Sequence, residues 1–239
     1  MGLRPLQKRF VVWAAASVLV LLAGLFAMGF IGTGRKTRDA DYRSAVGAQE
    51  PRKYVSLDGI SIVYTDSGGS GPVLICLHAI GHGARDFEDL GRRLSPQYRV
   101  IALDFPNQGN SGADSQPASG TRYSKLLGDF IERLDLQSVT LLGNSIGAAT
   151  AIRYTHLYPE RVRARVVRQR RVRSFQHEIR CPVLLAWAKN DIVIPLKRSE
   201  PSFEQFPNHH LEVFEGGHAA FLEDPDRFEQ SLRKFFNGL

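Results

Sequence analysis

Apolar residues recur along this chain in two periods, and the switching between them predicts its elements. Tyr54–Leu57 and Ile60–Tyr64 are extended runs on either side of Asp58-Gly59, which predicts a hairpin with a two-residue turn. Val73–Leu77 is continuously apolar, as a strand covered on both faces requires. Arg85–Leu94 then places Phe87, Leu90 and Leu94 at helical spacing. Arg99–Leu103 reads as a strand. Tyr123–Leu134 reads as a helix with Leu126, Leu127, Phe130, Ile131 and Leu134 on one stripe. The pattern repeats: a strand at Val139–Leu142, a small-residue helix at Ile146–Leu157, strands at Pro182–Trp187 and His210–Phe214. A closing helix at Pro225–Phe236 has Phe228, Leu232 and Phe235 as its apolar face. Such alternation predicts an α/β fold, a mostly parallel sheet with helices on both faces. In such folds, reactive groups gather at the carboxyl ends of the strands.

The segment before Lys53 has a different pattern. Phe10–Ile31 is a run of 22 residues without a charged side chain. As a helix it would be roughly 33 Å long, enough to cross a bilayer core. Residues 1–32 therefore read as an N-terminal transmembrane anchor, with Trp13 near an interface. The alternative is a cleaved signal segment and export. The length of the apolar run and the lack of a small-residue cleavage site before Arg35 argue against it. Basic residues flank both ends, so the sequence leaves the membrane side open. Residues 33–52 are polar, lack an apolar period and read as a linker, which leaves 53–239 as the folded body.

Composition narrows the class. Hydrophobic residues make up 43% and charged residues 23%, ordinary values for a globular chain. Twelve Pro and 22 Gly without a repeat exclude collagen-like and low-complexity chains. Two cysteines, Cys76 and Cys181, fall in or beside predicted strands and read as buried free thiols, not a disulfide framework. The net charge of +7 is local. Residues 1–32 carry three basic groups and no acid, and 161–173 carry seven Arg and no acid. With those removed, the body is mildly acidic, which disfavours a nucleic-acid surface. The Arg run has no interleaved aromatics for base stacking. It reads equally as a solvated connector and as a face for anionic lipid headgroups.

The candidate chemistry falls at strand ends. Gly143-Asn144-Ser145-Ile146-Gly147 fits G-x-S-x-G after a strand and at the start of a helix, the setting of a nucleophile elbow. Ser145 is the candidate nucleophile; the structural alternative is a serine that caps the helix. A serine hydroxyl needs a base, and the base needs a carboxylate to orient it. Among seven histidines, His218 lies after the serine, in the loop between the last strand and the last helix, preceded by Gly216-Gly217. His78 ends a strand but precedes the serine. His82, His156, His177, His209 and His210 lie in loop, charged or strand-start settings. Asp191 ends the strand before His218, and the order Ser, Asp, His is the one such a sheet uses. The oxyanion would be held by backbone N–H groups of Ile146 and of Ile80 in the His78-Ala79-Ile80-Gly81 loop, with Ala79 as the neighbour that could replace Ile80.

These segments resemble the α/β-hydrolase fold family of esterases, C–C hydrolases and cofactor-free haloperoxidases. The resemblance rests on Leu77–Gly81, Asp104–Ser111, Gly143–Gly147, Cys181–Trp187 with Asp191, and Gly217-His218 with Leu222–Pro225, and it covers residues 54–160 and 180–237. It implies a Ser145-Asp191-His218 triad, an oxyanion hole at Ile80 and Ile146, and hydrolysis that needs no metal or organic cofactor. Ser145 stands where dehalogenases and many epoxide hydrolases carry aspartate, which argues against both. Two departures stand out. Ala79 replaces the glycine usual after that histidine, and the helical cap is absent, with an Arg-rich connector (161–180) in its place. Phe105 and Phe221 are then the expected apolar walls of the acyl site, beside Ile80 and Ile146. The expected function is hydrolysis of carboxylic esters by an acyl-enzyme route. C–C bond hydrolysis or perhydrolysis with the same triad is the nearest alternative. A weakly catalytic, membrane-anchored scaffold is the alternative from another class.

Overall fold

A computed structural model describes residues 51–168 and 176–239. The predicted anchor (1–32), most of the linker (33–52) and the end of the Arg run (169–173) lie outside them. Among the described residues, no helix is long and apolar enough to cross a membrane.

Among the described residues, eight strands, numbered β1 to β8 along the chain with the ranges given below, form one sheet in the order β1-β2-β4-β3-β5-β6-β7-β8. β1 (Lys53–Leu57) and β2 (Ile60–Asp66) form the predicted hairpin. Its turn residues Asp58 and Gly59 have φ of 52° and 77°, which matches the twist of the flanking strands. β2 also runs antiparallel to β4 (Arg99–Leu103). From there to the far edge all pairings are parallel: β3 (Val73–Leu77), β5 (Val139–Asn144), β6 (Val162–Arg168), β7 (Val183–Ala188) and β8 (His209–Phe214). Their carboxyl ends therefore share one edge of the sheet.

The strand period of two assigns alternate residues to opposite faces. In β3, Ile75 and Leu77 face the core under the helices Gly120–Arg133 and Ile146–Leu157. Leu74 and Cys76 face the core under Glu88–Leu94 and Pro225–Asn237. β7 does the same, with Val183, Leu185 and Trp187 on one face and Leu184, Ala186 and Ala188 on the other. Continuous apolar runs in these strands follow directly from burial on both faces.

The sequence-based boundaries needed small adjustments. The helix expected over Arg85–Leu94 is a 3-10 turn, Ala84–Phe87, followed by an α-helix, Glu88–Leu94. The helix expected from Tyr123 begins three residues earlier, because the Ser119 hydroxyl accepts the Arg122 N–H at 3.0 Å and caps its first turn. Short helical turns at Leu196–Ser199, Glu200–Gln205 and Ala220–Glu223 were not predicted; each is too brief to show a period.

β6 ends at Arg168 and β7 begins at Val183, so the connection is the 14 residues 169–182. That is short of the many tens of residues a helical cap needs. Within β6 the register against β5 shifts by one residue beside Val139 and Thr140, and Arg163 falls in the shift and stays exposed while Val162 and Ala164 are buried. A bulge of this kind lets a charged residue leave an otherwise central strand without an unpaired charge in the core. Cys76 is buried and Cys181 partly so.

Candidate active site

Ser145 closes β5 and opens the helix Ile146–Leu157. It has φ 54° and ψ −114°, a region costly for any residue with a Cβ. The glycines on either side make this turn sterically feasible. A Cβ on Gly143 would lie 2.5 Å from the Ala148 nitrogen, and one on Gly147 would lie 2.1 Å from the Leu77 carbonyl oxygen. The second contact also shows that the elbow is pressed against the backbone that ends β3. The Ser145 hydroxyl makes no capping bond to its helix, so the capping alternative is not what the structure contains. A hydroxyl held by strain at a helix N-terminus, and not used to cap it, is available for chemistry.

Asp191 and His218 come together from β7 and β8. Two backbone bonds draw their loops into register: Lys189 N–H to the Phe214 carbonyl at 2.8 Å, and Asn190 N–H to the Gly216 carbonyl at 3.0 Å. The Asp191 carboxylate is fully enclosed. Its Oδ1 accepts the N–H groups of Val193 (2.8 Å) and Ile194 (2.9 Å), so burial is compensated by directed donors. His218 Nδ1 lies 3.2 Å from both carboxylate oxygens, and its side chain keeps 24% of its surface open. The carboxylate therefore fixes the Nδ1–H tautomer and leaves Nε2 as the basic nitrogen. β6 alone separates the strand that carries Ser145 from the strand that carries Asp191.

Glu223 belongs to this site, although in the sequence it stands out only as part of the Leu222–Pro225 segment. Its carboxylate accepts the N–H of Gly217 and, at 3.3 Å, the N–H of Ala219, so it grips the backbone on both sides of His218. Gly216, at φ 107°, leaves no room for a Cβ against this carboxylate. A glutamate five residues after a glycine-flanked histidine, at the end of a short helical turn, is the signal that could have identified it.

The loop after β3 has a different internal logic. His78 is completely buried. Its Nε2 accepts the Phe105 N–H at 2.9 Å, and its Nδ1 lies 2.7 Å from the Ala79 carbonyl, so the ring carries its proton on Nδ1. Burial depresses its pKa below the ordinary imidazole value, against opposing contributions from the Ala79 bond, Asp104 and Asp86. His82 N–H also donates to the Ala79 carbonyl. A trans peptide directs its N–H opposite to its C=O, so the Ile80 N–H points away from the His78 ring. The Ile146 N–H, in the first turn of its helix, has no intrahelical acceptor.

The two expected acyl walls require correction. Phe105 is 1% exposed, wedged between His78 (4.8 Å between ring centroids) and Tyr123 (4.1 Å, stacked). Phe221 is buried against Phe87, 4.7 Å away and nearly parallel. Both rings are consumed by loop packing. The exposed apolar side chains at this edge are Ile80 (66%), Ile192 (91%) and Val193 (57%). Ile192 and Val193 follow Asp191 in a segment that reads as a turn, which offers no signal of a role. A shallow cleft of about 430 Å³ lined by Ser56, Asp58, Lys125, Asp129 and Arg133 lies beside the hairpin and contains none of the groups above. Among the described residues, no cluster of side chains is arranged to hold a metal ion.

A strained serine after β5, an aspartate after β7 and a histidine after β8 stand on one edge of a largely parallel sheet, the arrangement of the α/β-hydrolase fold. Residues 72–169 match the model of the alpha/beta hydrolase fold. It is 33% identical over 130 residues to a 2-hydroxy-6-oxononadienedioate/2-hydroxy-6-oxononatrienedioate hydrolase from Pseudomonas putida, and the match spans 50% of this chain and 45% of that protein. The chain thus matches about half the length of that relative. Among solved structures, a predicted hydrolase from Thermoplasma acidophilum has a TM-score of 0.74 at 23% identity, covering 81% of this chain and 100% of that one. A membrane phospholipase A has a TM-score of 0.74 at 20% identity, covering 97% and 98%. At such identities these likenesses speak to the fold alone.

Proposed function

We propose that this chain is a serine hydrolase that cleaves carboxylic esters through an acyl-enzyme. The observation that carries the reading is the Asp191–His218 pair at 3.2 Å on the sheet edge where Ser145 is held at φ 54°. In this reading His218 Nε2 takes the Ser145 proton as the hydroxyl attacks the acyl carbonyl. The N–H groups of Ile80 and Ile146 receive the negative charge that develops on the carbonyl oxygen. His218 then returns the proton to the leaving alcohol, and a water activated by the same ring releases the acid. Asp191 stabilises the imidazolium in both halves.

C–C bond hydrolysis with the same triad is the second reading, favoured by the relative named for 2-hydroxy-6-oxononadienedioate. The short 169–182 connection favours the ester reading, because a capless edge offers little to enclose an extended dienoate. We further propose that residues 10–31 anchor the enzyme in a membrane and that the Arg-rich run 161–173 contacts anionic headgroups. The exposed Ile80, Ile192 and Val193 suit an acyl chain presented from a lipid surface.

The test is labelling of the full chain with a fluorophosphonate, together with turnover of p-nitrophenyl esters from acetyl to dodecanoyl and of 2-hydroxy-6-oxononadienedioate. Labelling lost in Ser145→Ala, with ester turnover, supports the proposal. Preferential turnover of the dienoate moves the assignment to C–C hydrolysis. Absence of labelling in the wild-type chain leaves the weakly catalytic scaffold. A capless site should level off early along the ester series, since each methylene contributes about 0.8 kcal/mol only where it is buried.

A further inference from the structure

We infer that Gln108 is a positioning residue that presets the oxyanion loop; this rests on the hydrolase reading above. Ile80 lies between two tethers. On one side the Ala79 carbonyl is held by His78 Nδ1 at 2.7 Å and accepts the His82 N–H at 3.1 Å. On the other, the Gly81 N–H donates to Gln108 Oε1 at 2.9 Å. The Gln108 amide is itself oriented, because its Nε2 donates to the Tyr123 hydroxyl at 3.1 Å. Tyr123 stacks on Phe105, Phe105 packs on the His78 ring, and the Phe105 N–H donates to His78 Nε2. The contacts therefore close a circuit from His78 through Phe105, Tyr123 and Gln108 to Gly81, with the Ile80 amide inside it.

The backbone around Gln108 is built to deliver this side chain. Asn107 and Gly109 on either side have φ of 62° and 56°, two left-handed residues in three. Asn107 is a non-glycine in that region, which carries a conformational cost. It is maintained by side-chain bonds to both the carbonyl (2.9 Å) and the N–H (3.2 Å) of Asp114. Gly109 abuts the buried Asp104 carboxylate, where a Cβ would come within 2.3 Å. Asp104 in turn accepts the N–H groups of Ala84 (2.6 Å) and Asn110 (2.8 Å), fastening the oxyanion loop's exit to the Gln108 loop. Strain over-determined by so many bonds, at a residue whose side chain reaches the backbone next to Ile80, points to positioning and not to packing.

An oxyanion donor is effective when its N–H is already aimed where charge develops. Without the Gln108 acceptor, the Ala79-Ile80-Gly81 backbone keeps the bonds of His78 and His82 to the Ala79 carbonyl and loses the one that orients the Gly81 side, so the amide samples unproductive orientations. Gln108→Met retains length and bulk and removes the acceptor. Outright loss of an oxyanion donor costs about 10²–10³ in kcat, so loss of its alignment should cost about tenfold, with KM changed by less than about twofold. Affinity for butylboronic acid, whose tetrahedral adduct puts an oxygen in the hole, should fall in parallel. Tyr123→Phe, which leaves the acceptor but removes its orienting partner, should produce a smaller loss of the same kind.

The experiment measures kcat, KM for p-nitrophenyl butyrate, boronate affinity and Tm for the wild type, Gln108→Met, Tyr123→Phe and Ser145→Ala. A kcat and boronate affinity in Gln108→Met equal to wild type overturn the inference, as does a fall in Tm with kcat per folded molecule unchanged. A wild type no faster than Ser145→Ala instead removes the hydrolase reading, a distinct outcome.

Discussion

Two loops at the same edge of the sheet each present a histidine, and they use it in opposite ways. At the end of β3, both ring nitrogens of His78 are committed to backbone groups and the ring is completely buried. At the end of β8, His218 has one nitrogen on the Asp191 carboxylate and keeps 24% of its side chain open. The β3 loop uses an imidazole as a fixed bracket that sets the direction of a peptide. The β8 loop fixes the backbone by a separate agent, Glu223, and leaves the ring to act. The same side chain is thus structural where its neighbours supply backbone partners, and in the proposed reaction chemical where they supply a carboxylate and an opening.

The largest expected effect separates the two rings. His218→Ala should lower ester kcat by about 10³-fold or more, with unfolding free energy nearly unchanged, because the ring supports chemistry and not backbone. His78→Ala should show the reverse. It leaves the Phe105 N–H without its acceptor and the Ala79 carbonyl with the His82 N–H alone, and it opens a ring-sized void, at a cost of about 2–5 kcal/mol. Urea denaturation paired with single-concentration turnover on folded protein distinguishes them. Comparable stability losses in both variants would show that the contrast is not real.

Asp191→Asn tests the carboxylate side of the comparison. The amide can still accept from Val193 and Ile194, yet it can no longer favour the imidazolium or fix the Nδ1–H tautomer. We expect kcat to drop by about 10²–10⁴ while most of the stability is kept, measured by the same pair of assays. Gly147→Ala tests the β3 side. A methyl 2.1 Å from the Leu77 carbonyl oxygen must push the elbow off β3. The expected outcome is a stability loss of about 1–3 kcal/mol with a measurable fall in kcat, because the elbow and the oxyanion loop separate. Unaltered urea midpoint and kcat in that variant would mean that the elbow does not depend on β3.

These same loops explain what could be read from the chain. Ser145, Asp191 and His218 were legible because each stands at a break in period, where an apolar strand gives way to glycine or a turn. The sheet was legible for the same reason, since burial on both faces leaves continuous apolar runs. The roles of Gln108 and Glu223 were not, because each acts on backbone amides distant in sequence or across a turn, and a backbone amide has no residue signature. Phe105 was misplaced because its position after a strand end resembles a pocket wall, and only the stack on Tyr123, eighteen residues on, shows that the ring is already covered. Ile192 and Val193 have no such signature, because exposure depends on what covers a residue in space and not on its neighbours in sequence.

The smallest expected effect is thermodynamic and concerns His78 again. Burial holds this ring neutral, with a folded-state pKa below the ordinary value, while in the unfolded chain the ring titrates near about 6.5. Below that value the unfolded state binds a proton that the folded state refuses. The unfolded state is then favoured, so unfolding free energy should decline as pH falls from about 7.5 through 6.5 and below, and should be fully retained above. Asp104 and Asp86 near the ring oppose the shift and limit the slope, and His82 reinforces it. Replacing the ring by His78→Gln removes the titrating group and preserves a donor and an acceptor at the site. The wild type should therefore lose more stability than His78→Gln between pH 7.5 and 5.5 in urea melts, whatever the other histidines contribute to both. Equal slopes would mean that the folded protein accommodates a charged His78, and the ring would then be less firmly committed to the Phe105 and Ala79 backbone than its two bonds imply.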